Sequence, residues 1–157
     1  AALLFLCFMP ISLFAQTYKM YQTRNYHNQL RLNTATGEVL QVQDDGQSWK
    51  ICDAMEDGGE TDNRFCLYET QNMWTFIMLD SFTGRLWQVQ YDTKSLDNLL
   101  CVSINEEVLE AGNSSIFTIQ PMTSMYQYYL ISNKSGAMWQ FQWTTKGPDY
   151  RWIKRVN

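Results

Sequence analysis

The chain has 157 residues, the length of one domain, and carries a net charge of −4. A mildly acidic chain lacks the clustered Lys and Arg that phosphate contacts need, so we expect no nucleic-acid partner. Aromatic side chains make up 15% of the residues. They are numerous enough to build the core of a small β-domain or to line a binding face.

The chain begins with an uncharged apolar run, AALLFLCFMPISLFA, at residues 1–15. This run is shorter than the roughly 20 apolar residues of a membrane-spanning helix, and it ends on the small residue Ala15. The pattern is typical of the apolar region and cleavage site of a secretory signal peptide. We therefore expect a secreted or periplasmic protein with no stable membrane insertion after cleavage. A membrane anchor or a buried first strand is the alternative.

Three segments of the remaining chain read almost alike. Their shared glycines are Gly37, Gly84 and Gly136, so the periods are 47 (84 − 37) and 52 (136 − 84) residues. Such a period marks a supersecondary unit that stacks on its copies to bury its apolar face. Residues 16–157 are thus predicted to be one domain of three repeats, at about 16–58, 59–110 and 111–157. The similar segments are LRLNTATGEVLQVQ (30–43), IMLDSFTGRLWQVQ (77–90) and YLISNKSGAMWQFQ (129–142).

Each repeat contains four segments with the composition of short β-strands. Each similar segment supplies the middle two strands, and one further strand lies on either side of it. Short strands that are rich in aromatic and β-branched residues and separated by turns indicate an all-β fold. The outer strands are predicted at 18–23 and 49–52 in the first repeat, 64–70 and 99–104 in the second, and 116–120 and 150–154 in the third.

The middle two strands of each repeat are joined by a turn with a glycine at its end. Asp at the start of such a turn accepts hydrogen bonds from backbone N–H groups two residues on. Glycine adopts the positive φ of a bulged hairpin. We expect a structural role for these turn residues, and the alternative for Asp80 is a metal ligand or catalytic acid. The residues are Asn33, Gly37, Asp80, Gly84, Ser132 and Gly136.

The third strand of each repeat alternates apolar residues with glutamine, which places the two types on opposite faces. Amide side chains both donate and accept hydrogen bonds. The glutamines can therefore form a structural network between units, or they can face outward beside aromatic rings and bind sugar hydroxyls or a partner's backbone. The residues predicted to bind a partner are Gln88, Gln90, Tyr91, Gln140, Gln142 and Trp143.

The middle repeat reads LDSFTGRLW at residues 79–87. It resembles bacterial blade-type repeats of the pattern apolar-apolar-Asp-x-x-Thr-Gly-x-x-Trp, which occur in β-propeller-like proteins as the middle hairpin of a four-stranded blade. The outer repeats depart from the pattern at Asn33 and Leu40, and at Ser132 and Ser135. The resemblance implies a three-bladed propeller-like array of four-stranded antiparallel meanders. A β-trefoil, in which three repeats share a six-stranded barrel, is the alternative.

Three cysteines follow the apolar run, namely Cys52, Cys66 and Cys101. An odd number leaves at least one thiol unpaired in an exported protein. Cys52 and Cys66 could pair across the polar loop between them. Each also lies in an apolar stretch, where a free cysteine packs as a small hydrophobe.

Residues that carry catalytic chemistry are scarce. His27 is the single histidine, and no C-x-x-C pair, nucleophile motif or phosphate-binding loop is present. Acidic residues such as Asp92 and Glu106 lie in polar loops. We therefore predict no enzymatic activity, no cofactor and no metal.

A repeat scaffold with variable loops and no catalytic motif favours recognition, which such loops commonly carry. The first hypothesis is an exported non-enzymatic module that docks a protein partner, as an inhibitor or immunity-type protein does. The second is a carbohydrate-binding, lectin-like module with up to three related sites. The third is a structural envelope-associated protein with no ligand.

Overall fold

The computed structural model describes residues 17–157, which form twelve β-strands in three separate four-stranded antiparallel sheets. Each sheet is a meander with its strands in chain order. The predicted all-β, three-repeat, propeller-like fold is confirmed, and these residues form no closed barrel of the kind a trefoil requires. The predicted signal peptide lies outside the described residues. Within residues 17–157, no helix is long and apolar enough to cross a membrane.

Each repeat contributes one sheet. The first sheet contains β1 (Tyr18–Gln22), β2 (Asn28–Asn33), β3 (Val39–Gln43) and β4 (Ser48–Cys52). The second contains β5 (Phe65–Glu69), β6 (Thr75–Asp80), β7 (Leu86–Gln90) and β8 (Leu100–Asn105). The third contains β9 (Phe117–Pro121), β10 (Gln127–Ser132), β11 (Met138–Gln142) and β12 (Trp152–Arg155). Single 3-10 turns at Leu96–Asn98 and Pro148–Tyr150 precede β8 and β12.

The turn between the middle two strands has the same backbone in all three sheets. Gly84 has a φ of +80°, and its N–H donates to the carbonyl oxygen of Asp80 at 2.9 Å. Gly37 and Gly136 have nearly the same φ and make the equivalent bond. The first turn residue also accepts backbone N–H groups through its side chain, as shown by Asn33 with Ala35, Asp80 with Phe82 and Ser132 with Ser135.

The second sheet lies between the other two, and all six residues of β6 are buried. Alternate side chains of β6 point in opposite directions. Phe76 and Met78 pack in a core shared with the first sheet, whereas Ile77 and Leu79 pack in a core shared with the third. Within residues 17–157, neither core combines side chains of the first and third sheets.

A disulfide joins Cys52 on β4 to Cys101 on β8, with 5.4 Å between their Cα atoms. It links the first sheet to the second and is compatible with an extracellular location. The pairing of Cys52 with Cys66 considered from the sequence is wrong. Cys66 follows Phe65 on β5, and a strand alternates its faces, so the Cys66 thiol lies in the core shared with the third sheet.

A buried ion cluster holds the acidic loop between the first two repeats against the second sheet. The fully buried Asp80 carboxylate accepts hydrogen bonds from Arg64 at 2.7 Å and Arg85 at 2.9 Å, and both guanidinium groups also contact Asp57 of that loop. Burial opposes ionisation of Asp80, but the hydrogen bonds outweigh it and lower the pKa of this carboxyl group. Asp80 is thus an ionised structural group at the turn.

Candidate functional site

One end of the three sheets is here called the loop edge. It contains the turn between the first two strands and the connection between the last two strands of each sheet. The loop edges of the first and second sheets lie side by side, since Arg24 of the first sheet donates hydrogen bonds to the backbone oxygens of Thr70 and Gln71 in the second. Apolar side chains are exposed here, and Tyr26 and Tyr150 are 86% and 51% accessible. The loop edge therefore offers a surface for recognition.

The glutamines that recur in the sequence connect neighbouring sheets at this edge. Gln88 donates through Nε2 to the carbonyl oxygen of Thr144 at 2.8 Å and accepts the N–H of the same residue at 3.3 Å. Gln41 donates to the carbonyl oxygen of Asp92 at 2.8 Å. These bonds run from the first sheet to the second and from the second to the third. They hold the connecting loops in fixed positions.

The other glutamines predicted for partner binding also make hydrogen bonds. Gln90 donates to the carbonyl oxygen of Asn98 at 3.1 Å, and Gln142 donates to that of Tyr150 at 3.0 Å, so each ties down one 3-10 turn. Gln140, on the outer face of the third sheet, donates to the side chain of Gln127 at 3.2 Å. Gln90, Gln140 and Gln142 remain half-buried.

The two aromatic residues predicted for binding, Tyr91 and Trp143, are fully buried. Each supports a second aromatic ring that is closer to solvent. Tyr91 contacts the ring of Trp74 with 5.2 Å between centroids, and Trp143 contacts the ring of Tyr126 at 4.9 Å. Trp74 and Tyr126 are half-buried and therefore present the aromatic surface at this edge.

Trp74 and Tyr126 were not predicted as site residues, because both lie outside the 14-residue similar segments. Their separation of 52 residues (126 − 74) equals the period between the second and third repeats. Each also follows a methionine just before the second strand of its sheet. This repeated Met-aromatic pair was the signal in the sequence.

A cleft of about 540 Å³ opens between the second and third sheets at the loop edge. A second cleft, of about 120 Å³, lies beside it. The two are related by the repeat, because Trp74 and Gln90 line the first while Tyr126 and Gln142 line the second. The chemically distinctive residues of the first cleft are Asn72, Trp74, Gln90, Asp92, Lys146 and Arg151.

The first cleft is lined by one acidic side chain and two basic ones. Asp92 accepts backbone N–H groups from Lys94 at 2.6 Å and Ser95 at 3.0 Å, and these bonds lower the pKa of its carboxyl group. Its oxygens are therefore occupied in shaping the loop. Lys146 and Arg151 supply two cations to the cleft. A ring, amide groups and two cations can recognise polar or anionic groups on a ligand.

Within residues 17–157, no group of three or more His, Cys, Asp and Glu side chains is placed to hold a metal ion. His27 instead contacts Asp44 at 2.9 Å, and both side chains are exposed in turns of the first sheet at the loop edge. Comparison of the chain with family models, curated proteins and solved structures found no match.

Proposed function

We propose that the chain is a non-enzymatic binding module that docks a protein partner through its loop edge. The observation that supports this most directly is the cleft between the second and third sheets, where Trp74 and Arg151 line the wall. Tyr150 lies next to Arg151 in the chain and is exposed. Trp, Tyr and Arg are the residue types that contribute most to protein–protein affinity when they are clustered.

The hydrogen bonds behind the cleft support the same proposal. Gln88 and Gln90 each fix a loop that carries cleft residues. A loop that is already ordered loses little conformational entropy when a partner binds, which favours affinity. A rigid, mildly acidic scaffold with an aromatic edge suits an inhibitor or immunity-type protein that covers the active surface of a toxin or enzyme.

The test is affinity capture from the secreted and periplasmic fractions of the native cell, with variants of the cleft. Trp74→Ala and Arg151→Ala should each reduce the recovered partner by at least tenfold, which corresponds to about 1.4 kcal/mol of binding free energy. The matched control is Val108→Ser, because Val108 is 54% exposed at the opposite edge of the sheets. Equal recovery with all three variants would argue against docking at the cleft.

The repeat-related pair of clefts supports a second candidate, a carbohydrate-binding module. Trp74 with Gln90 and Tyr126 with Gln142 each combine an aromatic ring with an amide at equivalent positions. Such a pair can stack on a sugar ring and bind its hydroxyl groups. Oligosaccharides added to the wild type should change its tryptophan fluorescence as they bind, and Trp74→Ala should remove that binding. An unchanged signal across a broad glycan panel would reject this candidate.

A further inference from the structure

The three sheets stack head to tail, and the same contacts recur at each junction. Gln41 of the first sheet donates to the carbonyl oxygen of Asp92 in the second, and Gln88 of the second donates to that of Thr144 in the third. Donors and acceptors are equivalent, since 41 + 47 = 88 and 92 + 52 = 144. Each sheet therefore has one face for the sheet before it and another for the sheet after it.

Two more contacts follow the same rule. The hydroxyl group of Tyr21 accepts the N–H of Leu67 at 3.2 Å. At the next junction Tyr68 holds the position of Tyr21, and it packs in the same core as Ile119, which holds the position of Leu67. The first residue of the next sheet also donates to the preceding turn. Phe65 bonds to Thr34 at 2.8 Å, and Phe117 bonds to Ser81 at 3.0 Å. The junction is thus a repeated, directional interface.

The outer face of the third sheet carries this same interface, and no sheet among residues 17–157 packs on it. Tyr129, Ile131 and Met138 occupy the positions of Ile77, Leu79 and Leu86, which are fully buried against the third sheet. In the third sheet, all three residues are only half-buried. Their side chains are apolar or aromatic, as a continued junction requires.

The outer face of the first sheet is the complementary half. Tyr18 and Met20 are 49% and 47% exposed, although their equivalents in the other sheets, Phe65 and Leu67 in the second, are buried. Leu40 and Val42 take the places of the buried Trp87 and Val89. Two polar residues also lie on this face: Gln29, in the place of the buried Phe76, and Arg31, whose guanidinium group stacks over the Tyr18 ring at 5.1 Å. Stacked arginine is a common residue of protein–protein interfaces.

We infer that a second copy of this chain continues the stack, with the outer face of the third sheet of each copy packing on the outer face of the first sheet of the other. The repeat offset makes Gln140 the donor and the carbonyl oxygen of the second copy's Asp45 the acceptor, since 92 − 47 = 45. Head-to-tail interfaces produce rings when their rotation closes. Two copies supply six sheets, which lies within the four to eight blades of closed propellers, whereas three copies would exceed that range.

The first experiment is sedimentation velocity of the purified protein over a wide concentration range. The wild type should reach twice the mass of one chain and then stay constant. Ile131→Lys, on the third sheet, and Leu40→Lys, on the first, should each give monomers. Val108→Lys is the matched control, because Val108 is exposed away from both faces, and it should remain a dimer. Far-UV circular dichroism of each variant checks that it is folded.

The second experiment distinguishes a head-to-tail contact from a symmetric one. An equimolar mixture of Ile131→Lys and Leu40→Lys contains one unmodified interface per pair, so the dimer should reappear although neither variant forms it alone. A symmetric contact between two copies of one sheet would leave one of the two variants dimeric. That result, a monomeric wild type, or a mass that grows without limit would each overturn the inference.

Discussion

Removal of the disulfide between Cys52 and Cys101 should cost the protein a large part of its stability. The bridge closes a loop with a sequence separation of 49 residues. The chain-entropy relation for a loop of that length gives about 4 kcal/mol. A domain with an unfolding free energy of about 5–15 kcal/mol would lose a quarter or more of it. The perturbation is the double variant Cys52→Ala with Cys101→Ala.

The assay is urea unfolding followed by tryptophan fluorescence. With an m-value of about 2 kcal/mol per molar urea, the expected loss moves the midpoint down by roughly 2 M. Wild-type protein in excess reductant should unfold at nearly the same urea concentration as the double variant. The agreement matters because reduction opens the loop without changing the side chains.

Cys66→Ala is the matched control, since Cys66 is an unpaired thiol in the core between the second and third sheets. This variant should lose only about 1 kcal/mol from packing and should keep the full response to reductant. The reasoning would be refuted if the double variant lost less than about 1 kcal/mol, or if the unreduced, unfolded protein showed every cysteine as a reactive thiol.

Three further predictions concern the turns, the ion cluster and the glutamines. The pKa of Asp80 is lowered in the folded state, so its ionised form stabilises the fold fully above the unfolded pKa, and this stabilisation is lost as the pH falls below about 4. The Asp80→Asn variant should be less stable than the wild type at neutral pH, and its urea midpoint should depend less on pH in the acid range. An unchanged dependence on pH in that range would contradict this. Gly84→Ala and Gly136→Ala both force alanine into a positive φ, which costs about 1–2 kcal/mol of stability. A Cβ atom at Gly84 would also meet an aromatic ring at 3.0 Å, whereas one at Gly136 would meet open space. Thermal unfolding should therefore show the larger loss of stability for Gly84→Ala, and equal losses would count against the contact. Gln88→Ala leaves buried backbone groups unpaired and should lower the free energy of unfolding in urea by about 3 kcal/mol. Gln140→Ala, at a half-buried position, should lower it by less than about 1 kcal/mol. Similar losses for the two variants would mean that the cross-sheet bonds do not stabilise the stack.

Much of the fold follows from short-range patterns. The positions Asn33, Asp80 and Ser132 with their glycines specify one hairpin turn, and alternation of apolar residues with glutamine specifies the strand faces. These signals lie within a few residues of each other, so they predict local structure without any knowledge of which sheets pack together. The meander order within each sheet follows from the same short connections.

The remaining features depend on which sheets become neighbours. Cys52 meets Cys101 because the first and second sheets stack, and no local pattern contains that information. Asp57 belongs to a loop that reads as solvated from its composition, yet it pairs with two arginines of the second repeat. At the candidate site, the pattern of apolar residues alternating with glutamine identified the glutamines and the buried Tyr91. It did not identify Trp74, because this residue lies before the second strand and outside that pattern.

The position of the second sheet between its neighbours has a consequence for how the sequence can vary. Both of its faces are covered, as the six buried residues of β6 show. A polar substitution there has no solvent-facing side to occupy, whereas β2 and β10 each keep one side toward solvent in the single chain. Deep mutational scanning should therefore find the middle repeat the least permissive of the three. The same constraint applies to the tryptophan of the middle repeat, since Trp87 fills a space that the first sheet closes, whereas Leu40 at the same position of the first repeat is half-buried on an outer face.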